Sequence, residues 1–507
     1  LEPVSAVDVF PPGAGTDAWY DEMLIHGDTI VVVGYSYRNQ GTEIGLFDID
    51  GRGEISYRRT YYLRSNDYYS SRNYASRLVG DTLLFYVPYY LYRYEYRDGE
   101  SGMQPSLPGF RRHRSNDARG DEAEWDSVVA ATEVYRPIQE TSSPTLHTVV
   151  TCDLSSRELQ CRGRGIIGPP SRSFYVSPRA VYVWVSARPP FPDVGRRDVT
   201  QSEAVVYRLP LGEGAPAALR AQGMPTDQFS FKESDDHHLN VLVRPTAGGD
   251  FMWSPEVTSG SVVLFRAPLS SFGSGESASQ ASYTMLPEPA DGSAFHNRFV
   301  GDYVIYGNGS GWGAPDERPN GRALIHPYRR QGETTSISLP HGVDRIEALG
   351  QDAVVVGTDG RNLHFTAIDL GSEPRFADRY VQMNASQGET RSHGFFYRPE
   401  AEDRGVLGLP AATAGRSGWR HLVRGSAQVL YLQVEDLHFS PLGSLVSRDR
   451  NARDNCQASC VDWYGNARPI FYQGRVFALL GYELVEGRIS GGQIGEVRRT
   501  TMLAALD

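Results

Sequence analysis

The chain has 507 residues, 40% of them hydrophobic and 22% charged, with a formal net charge of -11. That length holds several ordinary domains or one large repeat domain, and the acidic balance argues against a nucleic-acid binder, because phosphate contacts need clustered cations. No run of 18 apolar residues occurs, so no membrane-spanning helix is expected, and the opening at Leu1, without Met or a basic-then-apolar leader, reads as a processed or trimmed start.

Residues 1–20 are expected to be an N-terminal extension or closing strand. Beyond them, short runs rich in Val, Ile, Tyr and Phe, bounded by Gly, Pro, Asp and Ser, read as strands. The first unit runs MLIHG (23–27), DTIVVVGYS (28–36), EIGLFDID (43–50) and ISYRRTYYL (55–63), joined by short polar turns. The order returns seven more times, giving units near 21–64, 73–167, 171–226, 227–288, 294–340, 343–383, 389–447 and 468–503. Four short antiparallel strands every 50–60 residues or so is the spacing of a β-propeller. The expected fold is all-β, a single propeller of eight four-stranded blades over 21–507. Seven blades are the alternative, because the last unit is weak. Two β-sandwiches fit the recurring strand order less well.

In chain order, Asp48-Ile-Asp50-Gly-Arg-Gly-Glu54 has the look of a calcium loop but lacks the remaining oxygen positions. Asp50-Gly51 is explained by a hairpin turn. Asp48 and Asp50 are therefore the candidate metal ligands, calcium being the one cofactor the sequence leaves open. The next feature is aromatic. Twelve of the 29 tyrosines fall within residues 57–96, interleaved with arginines. In YYLYRYEY (89–96) a continuous strand would put Tyr90, Tyr92, Tyr94 and Tyr96 on one face. Tyr and Arg are enriched in binding hot spots, so these four with Arg93 and Arg97 are the candidate binding surface. Packing between the first two blades is the competing explanation.

Two insertions interrupt the repeats. Residues 93–144 split the second unit and are expected to be a surface cover or disordered, and 440–468 separate the seventh and eighth units. Cys152 ends one strand and Cys161 begins the next, which suits a disulfide across a hairpin. Cys456 and Cys460 share the loop NCQASC. Local pairs in an even count argue for an oxidising compartment, and spacings of eight and three intervening residues fit zinc poorly. Asp235-Asp236-His237-His238 reads as a solvated turn, because strand neighbours point to opposite faces. His296 and His393 read as hydrogen-bonded core or channel histidines. Neither a GxSxG elbow, a Walker A loop nor HExxH occurs.

SSRNYASRLVGDTLLFY (70–86), IHGDTIVVVGYS (25–36) with IGLFDID (44–50), SHGFFYRPEAEDRGVLGLPA (392–411) and FYQGRVFALLGYE (471–483) resemble stretches of secreted bacterial β-propeller-domain proteins, distantly related to WD repeats. The resemblance implies a propeller and secretion, and it carries over no catalytic residues. The long Tyr/Arg-rich second unit and the two cysteine pairs depart from that pattern.

The expected function is a secreted or cell-envelope propeller acting as a protein-binding scaffold or subunit of an extracellular assembly. It would be periplasmic, secreted or at the cell surface, and more a binder than an enzyme. Expected partners are proteins, with no nucleic acid and no membrane span. The alternatives are a polysaccharide-acting hydrolase or lyase at the central channel mouth, marked by paired carboxylates about 5–9 Å apart, or a glycan-binding propeller stabilised by calcium.

Overall fold

Val31 and Val33 point to one side of the strand Thr29–Ser36, Ile30 and Val32 to the other, and all four are buried. The strand Ala180–Ser186 is buried at every position. Successive side chains on a strand alternate between faces, so strands like these need another layer on each side. The architecture follows from that requirement. The computed structural model describes all residues except 1, 15–17, 66–75, 98–99, 106, 115–124, 142–143, 187–201, 249–256, 290–293, 310–320, 414–427, 449–466 and 502–507.

Eight principal sheets, each built on an antiparallel run of four strands, and two short two-stranded ribbons make up the strand structure of the described residues. The first holds Ala18–His26, Thr29–Ser36, Gly41–Ile49 and Ile55–Arg64; the second is built on Ser76–Val79, Thr82–Tyr90, Thr145–Asp153 and Gln160–Gly168. The third holds Ser171–Val176, Ala180–Ser186, Glu203–Pro210 and Ala217–Gln222. The remaining five occupy 224–286, 294–339, 345–382, 385–446 and 467–501. Residues 2–14 add no strand. Helical structure among the described residues is confined to three-residue turns such as Gln228–Ser230.

Each sheet packs on the next through its own apolar cluster. Val31, Val33 and Ile44 of the first meet Leu83, Phe85 and Val150 of the second. Leu84, Tyr86 and Val149, on the second sheet's other face, meet Val181, Val183 and Val185 of the third. The pattern continues to the eighth sheet, where Val476, Ala478 and Val485 meet Val406, Val429 and Tyr431 of the seventh. Radial stacking of twisted sheets is the β-propeller arrangement, in which edges remain only at the rim.

The rim is protected by devices that the strand patterns do not announce. The insertion 93–144, expected as a surface cover or disordered, contributes strands to the rim. Gly109–Arg112 adds to the outer strand of the first sheet, and Val129–Tyr135 runs parallel to the outer strand of the second. The Arg111 guanidinium lies 4.5 Å from the Tyr62 ring and 5.0 Å from that of Trp125, clamping the insertion down. Ser274–Ser277 covers the third sheet in the same way. The outer strands of the first, sixth, seventh and eighth sheets each carry a bulged residue, Arg58, Ala377, Leu442 and Val497. Bulges and added strands both blunt an edge against pairing with another chain.

The peptide 341–344, linking the fifth and sixth sheets, threads a slot walled by Gly309, Gly321 and Gly357. A Cβ on Gly357 would lie 1.8 Å from the Gly342 carbonyl oxygen, a contact no side chain can make. Gly357→Ala should therefore destabilise the chain by roughly 2–4 kcal/mol. Gly51→Ala, with open space around the new methyl, should leave the denaturant midpoint unchanged within about 0.5 kcal/mol. Chemical denaturation of the two variants beside the parent checks both outcomes.

Candidate functional face and axial charge network

The meander gives the molecule two unlike ends. Links from second to third strand, and from fourth strand to the next sheet, leave at one end; links from first to second and third to fourth leave at the other. The second set is short, Gly27-Asp28, Gly80-Asp81 and Gln473-Gly474 being typical, with 269–282 as the long exception. The first set contains 91–144, 187–202, 245–261, 310–320, 414–427 and 447–466. Long connections on a rigid scaffold are where recognition residues usually sit.

The candidate tyrosines belong to this end. Tyr90 ends the strand Thr82–Tyr90, opposite Thr145. The chain bends at Leu91, so the single strand expected over 89–96 is broken there. Tyr92, Arg93, Tyr94, Tyr96 and Arg97 lie on a separate strand, Tyr92–Arg97, which pairs with Glu100–Pro105 in a two-stranded ribbon. The side chains of Tyr90 and of this ribbon lie outside the described residues. Tyr89, just before the bend, is fully buried, so the Tyr-rich stretch divides between core and ribbon.

Asp48 and Asp50 are engaged by protein donors. Arg58 pairs with Asp48, with its Nε donating at 2.9 Å, and this holds the Asp48 carboxyl below its ordinary range. The Asp50 Oδ1 accepts the backbone N–H groups of Arg52 and Glu54 at 2.8 and 2.9 Å, closing the turn. Asp235 pairs with Arg329 and Asp236 with Arg266. Among the described residues no three His, Cys, Asp or Glu side chains converge on a metal position. Cys152 and Cys161 form a disulfide between paired positions of neighbouring strands. Cys456 and Cys460 lie outside the described residues.

A network that the strand patterns do not announce runs between the first strands of the sheets. The Ser76 hydroxyl donates to Glu22, and the Arg77 Nη2 donates to the Gln228 side-chain oxygen at 2.6 Å. That bond joins the second sheet to the fourth and passes over the third, as it can only where first strands converge on an axis. The Arg298 guanidinium sits 4.8 Å from the Phe229 ring and pairs with Glu347 at 2.8 Å. Glu347 also binds Arg345, 2.8 Å away, whose remaining donors reach the Gln387 side chain and the carbonyls of Glu389 and Arg391. Burial pulls the Arg345 guanidinium down from its ordinary value, and Glu347 opposes that shift. The network offers paired charges and no activated nucleophile, so its chemistry is that of an internal tie.

A second polar cluster holds the linker between the fifth and sixth sheets. The His341 Nδ1 lies 2.7 Å from the Gly342 carbonyl oxygen and its Nε2 2.8 Å from the Thr366 hydroxyl. Its ring stacks on His364 with centroids 5.0 Å apart, and the His364 Nε2 is 2.9 Å from the Asp359 carboxylate. Burial, with His364 and Arg379 nearby, pushes the His341 pKa down to about 4. Of the single histidines, His296 is buried on a strand, whereas His393 belongs to a short turn 3.7 Å from Glu389.

Sheets stacked about an axis, with long connections at one end, define a propeller domain. The Beta propeller domain model matches residues 12–285, more than half of the sequence, and the chain belongs to that family. No curated protein matches it. Two solved structures are among those the chain matches. One is from a structural and mechanistic analysis of two prolyl endopeptidases, with 10% identity, a TM-score of 0.35, and coverage of 93% of this chain and 55% of that one. The other is a post-proline cleaving enzyme from Rickettsia typhi, with 7% identity, a TM-score of 0.36, and coverage of 91% and 56%. The chain spans little more than half the length of either.

Two outcomes follow from these contacts. The Cys152–Cys161 bridge spans nine positions, so reducing it should cost about 2–3 kcal/mol of stability, read as a lower midpoint in denaturant with reductant than without. An unfolded histidine titrates near 6.5, whereas His341 resists protonation until pH 4 or so. Its neutral form is therefore compatible with the fold at neutral pH. As pH falls from about 6.5 to about 4, the unfolded state takes up a proton that the folded state does not, and roughly 3 kcal/mol is lost. His341→Gln should flatten that part of the stability–pH curve.

Proposed function

We propose that the chain is an eight-bladed propeller that works outside the reducing cytosol, in the cell envelope or beyond it, as a protein-binding scaffold or assembly subunit. The observation that carries this reading is the one-sided placement of the long connections. All but 269–282 leave at a single end of a frame tied together by apolar clusters and the axial charge network. The connections that leave at that end carry, in sequence, the Tyr/Arg ribbon and Trp125, Trp253, Trp312, Trp419 and Trp463, five of the seven tryptophans. Of these five, Trp125 falls among the described residues. Trp, Tyr and Arg are the residue types that dominate interface energetics. The Cys152–Cys161 disulfide supports an oxidising compartment. The side chains engaged at Asp48, Asp50 and the axis favour binding over chemistry.

Capture of partners from the native source, with the parent chain and with Tyr92→Ala/Tyr94→Ala and Trp312→Ala/Trp419→Ala variants, tests this. The expected outcome is a loss of the captured protein by about tenfold or more in at least one double variant, with the thermal midpoint held. A large fall in midpoint with capture intact assigns these aromatics to the core and rejects the reading. Elution of the chain by envelope polysaccharide instead of protein replaces the protein partner with a glycan.

A further inference from the structure

Seven junctions between successive sheets are filled by apolar clusters, but the junction between the eighth sheet and the first shows none among the described residues. The free face of the first sheet carries Ile30, Val32 and Phe47, packed by Tyr20, Tyr57 and Val9. Val9 belongs to residues 2–12, which run without secondary structure across this face. The Val4 side chain covers Gly53, Ser5 Oγ accepts the Ile55 N–H at 3.0 Å, and the Phe10 ring meets Tyr20 edge-on at 5.5 Å. At the far side Glu2 reaches Arg498, on the outer strand of the eighth sheet, at 3.1 Å. The same short segment therefore touches both sheets.

Apolar side chains on either side of it stay in water. Met23 is 59% and Ile25 60% exposed. They pair with Val32 and Ile30 across the strands and so share the free face. On the eighth sheet, Phe471 packs toward the seventh against Tyr431 and Phe396, leaving the next residue, Tyr472, on the opposite face, 60% exposed.

We propose that residues 2–12 are a strap that holds the junction between the eighth and first sheets shut, in place of direct packing of sheet on sheet, and that the propeller opens there first. Two valines, one phenylalanine ring, one hydroxyl contact and an exposed ion pair hold less than the clusters of buried side chains that fill the other junctions, because exposed pairs contribute little and burial scales with apolar area. A segment of that kind belongs to the low-stability end of a native structure.

Hydrogen exchange on the full chain tests the strap, with the other seven junctions as internal controls. In the parent chain, 18–36 and 467–501 should exchange faster than Ala180–Ser186 and Asp352–Thr358. Val9→Asp should accelerate the first two regions by about tenfold or more and leave the second two unchanged. Glu2→Arg should act in the same direction more weakly, and Glu2→Arg/Arg498→Glu should restore the parent rates. Equal protection at all junctions, unmoved by Val9→Asp, overturns the proposal. So does acceleration of every sheet alike, which marks general destabilisation and not a local joint.

Discussion

Everything in this molecule depends on strands that are apolar on both faces. A sheet with one wet face can stop at a single neighbour. A strand such as AVYVWVS, buried at all of its positions, cannot. It must be sandwiched, and its neighbour's far face poses the same demand again. Repetition of that demand around an axis produces the stack, and the twist of each sheet makes the stack curve. The glycine slot around 341–344 belongs to the same logic. Where sheets approach this closely, a linker passes only if side chains are absent from its walls.

Convergence of the first strands has a cost that the axial network offsets. First strands cannot be covered by another sheet on the axis side, so their inward groups are polar and partly desolvated. Arg345 is buried and is tolerated because Glu347, Gln387 and two carbonyls satisfy its fork. Removing one partner would strand a charge in a poor solvent, which costs more than the pair contributes. The stiffness that follows leaves the long connections free to vary without disturbing the frame.

Much of the frame was legible in the residues. The recurring short strands were visible, and the weak last unit, expected near 468–503, contains the strands Glu483–Ser490 and Gln493–Thr501. The Cys152–Cys161 bridge was legible because one residue closed a strand and the other opened the next. The bend at Leu91 was not, because a run of alternating aromatics carries no local signal for where one sheet ends and a ribbon begins. The role of 109–112 and 129–135 was hidden for a related reason. An edge strand is defined by the neighbour it joins, and that neighbour, at 55–64 or 160–168, is remote in sequence.

Local chemistry thus determined the elements: alternation of Val, Ile and Tyr set the strands, Gly-Asp pairs set the turns, and the count of units set the class of fold. Tertiary structure alone decided which charges meet. Arg77 and Gln228 lie 151 residues apart, and Arg298 and Glu347 belong to different sheets. No periodicity couples positions so distant; only the closing of strands on one axis brings them within hydrogen-bond reach. The same holds for the two ends of the molecule. Loop lengths are written in the sequence, but the end from which each loop leaves follows from the antiparallel alternation of strands, which sends every second connection to the same end.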